Sequence, residues 1–340
     1  PTELLSQQHY ETVKEALKDY KISIELLTSS VTGKSRESLL ENLKRGKVDI
    51  LIGTHAVIQE MVEFLNLGLA ITDEQHRFGV KQRLDLSGKG NSPDVLVMTA
   101  TPIPRTLALI LYGDMDISII DELPPGRKQI ESYAVGLDLE ERIFAFVRKQ
   151  VGEGRQAYIV CPLIDENVQL ELVSAEGLYK RISTENFSDC KVGLLHGRMN
   201  QKEKDSVMRE FKHGSIDILI STTVIEVGVN VPNANTMVVL NSERFGLAQL
   251  HQLRGRIGRG EYKSYCILVN RSNSLIARER MRILQSTSDG FVISELDLEL
   301  RGPGDFFGTR QHGLPELKIA NLIRDIDVLK QAQEDALEIL

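Results

Sequence analysis

"LGLAITDEQHRFG" (67–79) places a short apolar run directly before two carboxylates, Asp73 and Glu74. Short, uninterrupted apolar runs are typical of strands buried on both faces of a parallel sheet. Ligands bind at the carboxyl ends of the strands in such sheets, where Asp73 can hold Mg²⁺ through water. Glu74 can orient or deprotonate an attacking water, although adjacent acids are also common in solvated loops and first helical turns. The stretch therefore predicts a parallel α/β sheet with a candidate catalytic edge.

Similar apolar runs recur along the chain and alternate with helix-period stretches. They are 22–27, 48–53, 94–100, 156–162, 191–197, 216–222, 234–241 and 264–270. A turn-rich connector, "DELPPGRKQIESY" (121–133), interrupts the alternation with Pro124, Pro125 and Gly126. We therefore predict two parallel-sheet α/β domains, residues 1–125 and 126–275, followed by a helical and irregular element over 276–340.

Composition narrows the class of protein. The chain has 340 residues, of which 41% are hydrophobic, and this is enough for two cored domains. No apolar run approaches the roughly 20 residues of a membrane span, and no signal peptide is evident. The three cysteines lack metal-ligand spacing and are expected to be core residues in a reducing cytoplasm. The net charge of −7 argues mildly against nucleic acid, although a local basic stripe can still bind phosphates.

"TSSVTGKS" (28–35) follows an apolar run and precedes a helix-like stretch, as a phosphate-binding P-loop does. A P-loop also needs a glycine five residues before the one in GK[ST], and position 28 is Thr. The backbone amides, the hydroxyls and Lys34 suit a DNA phosphate as well as a nucleotide phosphate.

Further candidate groups follow other strands. Threonines in "MTATPIPRT" (98–106) could sense events at the neighbouring carboxylates. "QLHQLRGRIGRG" (249–260) carries Gln252, Arg256 and Arg259, and arginines three apart share a helical face. Two guanidiniums can neutralise charge on a γ-phosphate. A basic surface helix is the alternative, but the internal glycines disfavour it.

Taken in order, seven segments resemble the motifs of the superfamily 2 helicases, and they are most similar to the bacterial RecG family of branch-migrating, fork-regressing DNA translocases. They are "PTELLSQQH", "GTHAVIQE", "TDEQHRFGVKQR", "TATPIPRT", "LHGRM", "STTVIEVGVNVPNA" and "QLRGRIGRG". The tail "RGPGDFFGTRQHGLP" (301–315) resembles the translocation motif of that family. The resemblance implies two RecA-like domains, the first truncated at its amino terminus, followed by a translocation element.

The resemblance also implies a role for individual residues. Asp73 would hold Mg²⁺, Glu74 would activate the hydrolytic water, and Gln252, Arg256 and Arg259 would complete the γ-phosphate site. Residues that couple hydrolysis to motion would be Gln75, His76, Thr99, Thr101, Arg301 and Gln311. Gly228 and Asn230 would border the nucleotide, although the family usually has Asp at the second position. DNA-backbone contacts would come from Thr2, Ser29, Lys34, Thr54, His55, Arg244 and Phe245.

The implied function is that of a cytoplasmic, ATP- and Mg²⁺-dependent double-stranded DNA translocase that migrates junctions and regresses stalled forks in recombination and repair. Its partners would be branched or double-stranded DNA, contacted along the backbone, and a single-stranded DNA-binding protein; no membrane is implied. The family places its P-loop ahead of "PTELLSQQH", and the chain begins with Pro1 rather than Met, so we expect it to begin inside a longer protein and to be inactive alone as an ATPase. A transcription-repair coupling translocase, which has DEEH where this chain has DEQH, and a non-catalytic DNA-binding module are the alternatives.

Overall fold

The computed structural model describes residues 3–73, 88–100, 116–124, 127–162, 176–222 and 230–301, with isolated helical residues beyond position 327. The chain divides into two compact units. The first contains residues 1–100, 199–209 and 224–230, and the second contains 101–198, 210–223 and 231–340. Within the described ranges, no helix combines the length and the apolar character needed to cross a membrane.

The first unit contains two separate pairs of parallel strands. Its elements are helix α1 (Glu3–Ala16), strand β1 (Ile24–Leu27), helix α2 (Gly33–Lys44), strand β2 (Ile50–Gly53), a 3₁₀ turn (His55–Ile58), strand β3 (Leu69–Thr72) and strand β4 (Asp94–Val97). Strand β1 pairs with β2, and β3 pairs with β4. Because both pairs are parallel, the segments after β1 and β2 leave from the same end of their sheet, as do those after β3 and β4.

A small core holds the β1–β2 half of this unit together. Leu27, Leu43, Ala56 and Val62 are buried in contact with one another. Gly53 ends β2 so close to β1 that a β-carbon there would lie 2.2 Å from the carbonyl oxygen of Leu27. Only glycine permits this approach, which brings the segment after β2 against the end of β1.

The β3–β4 pair differs from its prediction as buried strands. Leu69 and Ile71 are 53% and 54% exposed, and Val95 and Leu96 are also exposed. The apolar runs do form strands, but each has one paired neighbour among the described residues, and their outer face is open. Apolar sequence predicted strand formation here without predicting what covers the strands.

The second unit is built on one six-stranded, all-parallel sheet with the order β5-β10-β9-β6-β8-β7. The strands are β5 (Ile130–Val135), β6 (Gln156–Val160), β7 (Val192–Leu195), β8 (Ile218–Ser221), β9 (Ala234–Val239) and β10 (Ser264–Val269). The helices are α3 (Glu140–Gly152), α4 (Gln201–Lys212), α5 (Leu247–Arg254), α6 (Leu275–Ser286) and α7 (Gly290–Arg301), with a π-helical turn at Ile182–Asn186. Residues 201–209 of α4 group with the first unit and its last turn with the second.

The central strands are buried along their whole length. Every residue of β6, β8 and β9 is buried, as parallel strands covered on both faces must be. Helix α3 contributes Ile143, Phe144 and Val147 to the core, and the ring of Phe144 meets that of Phe187 edge-on at 5.6 Å between centroids. Cys161 and Cys266 are buried thiols, which agrees with the prediction of core cysteines, and Cys190 is half-buried.

Strand β5 was not predicted. It begins at Ile130, inside the segment interpreted as a connector, and pairs with β10 as the edge strand of the sheet. Its residues are half-buried or exposed, and it includes Glu131 and Ser132. An edge strand needs no continuous apolar run, so the apolar signal used for the other strands was absent here. The parallel α/β prediction is confirmed, and the connector is shorter than predicted.

Candidate nucleotide and DNA sites

Asp73 directly follows β3 and contacts a histidine from the start of the chain. Asp73 Oδ2 lies 3.2 Å from Nε2 of His9, on α1, and the two side chains are 31% and 43% exposed. Mg²⁺ typically takes one or two carboxylates together with substrate phosphates, so a single half-exposed Asp73 fits such a role. Thr99 follows β4 and is exposed. Sequence reasoning missed His9, because nothing in sequence links positions 64 residues apart.

Several predicted site residues lie outside the described residues. They are Thr2, Glu74, Gln75, His76, Thr101, Gly228 and Gln311, as well as the side chain of Arg301. Their roles stay predictions.

The loop after β1 holds a carboxylate in place. Ser29 Oγ donates to Glu3 Oε1 at 2.5 Å, and the Ser30 backbone N–H donates to the same oxygen at 3.1 Å. Helix α2 then begins at Gly33, whose φ is +60°, with Lys34 exposed in the first turn. Donors that hold a carboxylate are of the kind that holds a phosphate oxygen, so the loop suits the predicted DNA-backbone contact.

The loop after β2 lies at the same end of the β1–β2 pair. The Thr54 backbone N–H donates to Leu27 O at 3.3 Å, which ties this loop to the end of β1. His55 is exposed at the start of the 3₁₀ turn, and Thr54 Oγ1 accepts from the Ala56 backbone N–H. The structure therefore brings Ser29, Thr54 and His55 to one edge.

In the second unit, the parallel sheet separates the predicted residues into two groups. All strands run in the same direction. The first residues after each strand therefore lie at the carboxyl edge of the sheet, and the last residues before each strand lie at the amino edge. Arg244 follows β9 and therefore lies at the carboxyl edge. Arg256 and Arg259 precede β10, so these two lie toward the amino ends of the strands, whereas Asn230 groups with the first unit.

The carboxyl edge contains two buried polar groups that sequence reasoning did not select. His196 follows β7 and Thr222 follows β8, and the preceding residues, Leu195 and Ser221, are paired. Thr222 is 1% exposed, and its Oγ1 and the Nδ1 of His196 have no hydrogen-bonding partner among the described residues. Buried polar atoms are almost always hydrogen-bonded, so these two atoms are candidates for a contact with a ligand. The strand ends in "LHGRM" and "STTVIEVG" were the available signal.

Phe245 does not fit its predicted DNA contact. Its side chain is 3% exposed and belongs to the core, whereas that of Arg244 is exposed. The two residues are adjacent, and the turn at 242–244 directs one outward and the other inward. We correct the prediction accordingly and keep only Arg244.

Arg256 and Arg259 of "RGRIGRG" lie in a turn. The prediction that they share a helical face is wrong. Helix α5 contains Gln252 but ends at Arg254, and Arg256 and Arg259 follow it. Glycine ends the helix at position 255, and Gly258 has φ +74°, which no α-helix contains. A β-carbon on Gly258 would lie 2.8 Å from Ile130, and one on Gly260 would lie 2.3 Å from Pro232 O. The turn is thus held closely between the starts of β5 and β9.

Positive charge is concentrated in this turn. Partial burial of the guanidinium lowers the pKa of Arg259, because it removes water from the charged form. The positive charges of Arg256 and Arg127 lower this pKa further. Arg259 nevertheless keeps an exposed side chain, and its Nε donates to Gly255 O at 3.3 Å. A guanidinium whose pKa is lowered by neighbouring positive charges favours an anion beside it. Sequence reasoning missed Arg127, which belongs to the segment read as a connector.

Comparison with known proteins agrees with these assignments of fold. Family models match residues 1–110 (DEAD/DEAH box helicase), 139–261 (helicase conserved C-terminal domain) and 287–340 (ATP-dependent DNA helicase RecG, domain 3, C-terminal). The ATP-dependent DNA helicase RecG of Bacillus subtilis is 56% identical over 99% of this chain, and that of Thermotoga maritima is 52% identical over all of it. The chain spans only 49% and 44% of the lengths of these two relatives.

Solved structures extend the comparison. RecG bound to a three-way DNA junction superposes with a TM-score of 0.79 at 49% identity, over 97% of this chain and 42% of that one. Yeast Dbp5 bound to RNA matches in fold alone, with a TM-score of 0.59 at 16% identity over 99% of this chain and 80% of that one. The predicted pair of RecA-like parallel-sheet domains is confirmed, and over nearly its whole length the chain is similar to part of the RecG helicases.

Proposed function

We propose that this chain is the motor portion of an ATP-dependent translocase on double-stranded DNA that migrates branched junctions and regresses stalled forks. The observation that carries the proposal is the division of polar groups between the two edges of the six-stranded sheet. The positively charged turn of Arg256 and Arg259 precedes β10, and His196 and Thr222, whose Nδ1 and Oγ1 have no partner among the described residues, follow β7 and β8. A motor that uses ATP to move along DNA needs separate sites for the nucleotide and the DNA, and this division supports one site at each edge.

At the amino edge, the proposed chemistry is stabilisation of transferred phosphate. Charge develops on the γ-phosphate oxygens in the transition state, and the guanidiniums of Arg256 and Arg259 would neutralise it, with Gln252 oriented from the last turn of α5. Gly228 and Asn230 would border the nucleotide. In the first domain, Glu74 would orient the attacking water and Asp73 would hold Mg²⁺, which would supply positive charge to the phosphates.

At the carboxyl edge, the proposed ligand is the DNA backbone. The Thr222 hydroxyl can donate to a phosphate oxygen, as can His196 Nδ1 in the tautomer that carries its hydrogen there, and Arg244 supplies positive charge. From the first domain, the same role is proposed for Ser29, Lys34, Thr54, His55 and Thr2. Such contacts read no bases, and the DNA would be held irrespective of its sequence.

Coupling between the two sites is proposed for Gln75, His76, Thr99 and Thr101, together with Arg301, the last residue of α7, and Gln311. A cytoplasmic location and a single-stranded DNA-binding protein as partner belong to the same proposal. The curated relatives carry the RecG name, and no observation favours the transcription-repair alternative.

The test uses the complete protein, a forked DNA substrate and one substitution at each edge. Arg259→Ala should lower ATP turnover by about 10³–10⁵-fold, as loss of an arginine finger does elsewhere, and leave DNA affinity unchanged. Thr222→Val, which keeps the shape and removes the hydroxyl, should weaken DNA binding by about five- to ten-fold, the worth of one hydrogen bond. Arg244→Ala should in addition reduce the salt dependence of binding by about one phosphate contact.

Ser132 provides the matched control, because its hydroxyl is also buried without a partner among the described residues but lies within β5, away from the carboxyl edge. Ser132→Ala should bind DNA as the unmodified protein does. If Thr222→Val has no effect on DNA affinity and Arg259→Ala abolishes it, the assignment of the edges is reversed.

A further inference from the structure

Arg254 is a buried arginine between two predicted nucleotide-facing residues, Gln252 and Arg256. It is the last residue of α5 and is 4% exposed. Its Nη1 donates to the carbonyl oxygens of Leu284 and Thr287 at 2.8 and 2.9 Å, and its Nη2 lies 3.0 Å from His251 Nδ1. Its fork therefore joins α5 to the last turn of α6.

The partners explain how a guanidinium is tolerated here. A buried charge is costly unless its donors are satisfied, and the last carbonyls of a helix are both unpaired within the helix and partially negative. His251 must accept through Nδ1, which requires a neutral imidazole, and burial together with the charge of Arg254 lowers its pKa to about 4. The Arg254 side chain is thereby held in one position.

The turn that carries the other two arginines is built directly on Arg254. The backbone N–H of Arg256 donates to Leu253 O, and that of Ile257 donates to Arg254 O. The far end of the turn is held by the close approach of Gly258 to Ile130 and of Gly260 to Pro232. The direction in which the turn leaves α5 is consequently set by the last turn of that helix, which Arg254 fixes against α6.

We propose that Arg254 is a positioning residue for phosphoryl transfer, which holds Arg256 and Arg259 in their working geometry by anchoring the end of α5 to the last turn of α6. The inference rests on the proposed function and adds a residue to it. Because α5 also contacts α7, a shift of the α6–α7 pair would change the position of the arginines, and nucleotide bound at the arginines would stiffen the end of α6.

The experiment compares Arg254→Met and Arg254→Lys in the complete protein on forked DNA. Methionine has a similar reach but no donors, and lysine keeps the charge but loses the fork. For Met we expect the ATP turnover number to fall by about 10–100-fold, as misplacement by about 1 Å does, with KM for ATP and DNA affinity within two-fold of the unmodified protein. The turnover number of Arg254→Lys should lie between those of Arg254→Met and the unmodified protein.

Two controls separate positioning from stability. Val147→Ala removes core volume from α3, far along the chain from the turn, and should lower the unfolding temperature without changing turnover per folded molecule. Arg282→Met removes an exposed arginine from α6 itself and should change neither. A second readout is hydrogen exchange of amides 284–290, which a non-hydrolysable ATP analogue should slow in the unmodified protein but not in Arg254→Lys.

The outcomes are distinct. If Arg254→Met and Arg254→Lys keep their turnover numbers per folded molecule, or if the analogue leaves amides 284–290 unchanged in the unmodified protein, Arg254 is only a helix cap and the inference is wrong. If Arg254→Met does not fold, the turnover number of Arg254→Lys and the hydrogen-exchange measurement still test the inference. Absence of DNA-stimulated turnover in the unmodified protein refutes the proposed function itself, and the inference with it.

Discussion

Gly258→Ala tests how tightly the arginine turn is held. Gly258 lies between Arg256 and Arg259 with φ +74°, and an added β-carbon would lie 2.8 and 3.0 Å from two carbons of the Ile130 side chain. Gly214 is a matched control, because its φ is +75° and an added β-carbon there would have nothing within 4 Å. The two substitutions share the backbone strain, and only Gly258→Ala adds the steric contact.

The expected magnitudes follow from these two contributions. A residue with a β-carbon in the left-handed region costs about 1–2 kcal/mol, and the lost freedom of the unfolded chain offsets about 0.4–1 kcal/mol of that. Gly214→Ala should therefore lower the free energy of unfolding by about 1 kcal/mol. Overpacking against Ile130 adds about 1–3 kcal/mol, so Gly258→Ala should cost about 2–4 kcal/mol.

Hydrogen exchange of the β6 and β9 amides is the appropriate assay, because these central strands report opening of the whole sheet and the chain has no tryptophan to serve as a probe. The double variant Gly258→Ala, Ile130→Ala should recover most of the steric cost in a double-mutant cycle. In the complete protein, Gly258→Ala should also lower ATP turnover by about 10²-fold, since moving the turn by about 1 Å misplaces both arginines.

The refuting result is equal destabilisation by Gly214→Ala and Gly258→Ala together with unchanged ATP turnover. It would show that Ile130 yields to the added carbon and that the turn is not constrained by its neighbours. Reduced turnover without any extra loss of stability over Gly214→Ala would refute the steric explanation alone.

Three further predictions follow from other parts of the chain. Residues 1–340 by themselves contain no G-x-x-x-x-G-K-[ST] and should hydrolyse no ATP with or without DNA, with Glu74→Gln as the blank; hydrolysis abolished by that substitution would contradict this. His251 has a pKa of about 4 against an ordinary 6.5, so between these pH values the unfolded state binds a proton that the folded state does not. The free energy of unfolding should therefore fall by on the order of 2–3 kcal/mol as the pH drops from 6.5 to 4. The free energy of unfolding of His251→Asn, measured across that range, should depend less on pH. Arg301→Ala and Gln311→Ala in the complete protein should retain DNA-dependent ATP hydrolysis and lose branch migration, and parallel loss of both rates on one fork would show that these residues belong to the fold or to the ATP site.

Apolar patterning predicted nine of the strands in this chain, because eight runs and "LGLAITD" each contain one. It failed for β5, whose edge position leaves Glu131 and Ser132 among its residues. It also could not predict that Leu69 and Ile71 would be exposed, because the sequence of a strand does not state what covers it. Local pattern specifies the element, and the neighbours decide its burial.

Sequence could nominate candidate site residues where one segment carries the whole pattern, and it missed contacts for which two segments must meet. Asp73 and the arginines stood out within their own motifs. His9 and Arg127 became visible only once the fold brought them close to Asp73 and Arg259. The arginines themselves were misplaced on a helix, although the glycines at 255 and 258 that end it were in view. The predicted DNA contact of Phe245 was wrong for a related reason. Adjacent residues of a turn can point in opposite directions, and sequence alone does not say which of them faces solvent.

The two edges of the large sheet constrain how ATP could move DNA. Strand β9 has six residues and separates them by about 20 Å at 3.3 Å per residue, too far for any side chain to contact both nucleotide and DNA. Communication must therefore pass through a rigid element, and α5 is one that runs between the edges. It begins three residues after Arg244, at the proposed DNA edge, and ends at Arg254, beside the turn that is proposed to face the nucleotide, and its eight residues cover about 12 Å of that distance. A change in how that helix is anchored at Arg254 would alter both ends at once, whereas a substitution confined to Thr222 or Arg259 should alter only one.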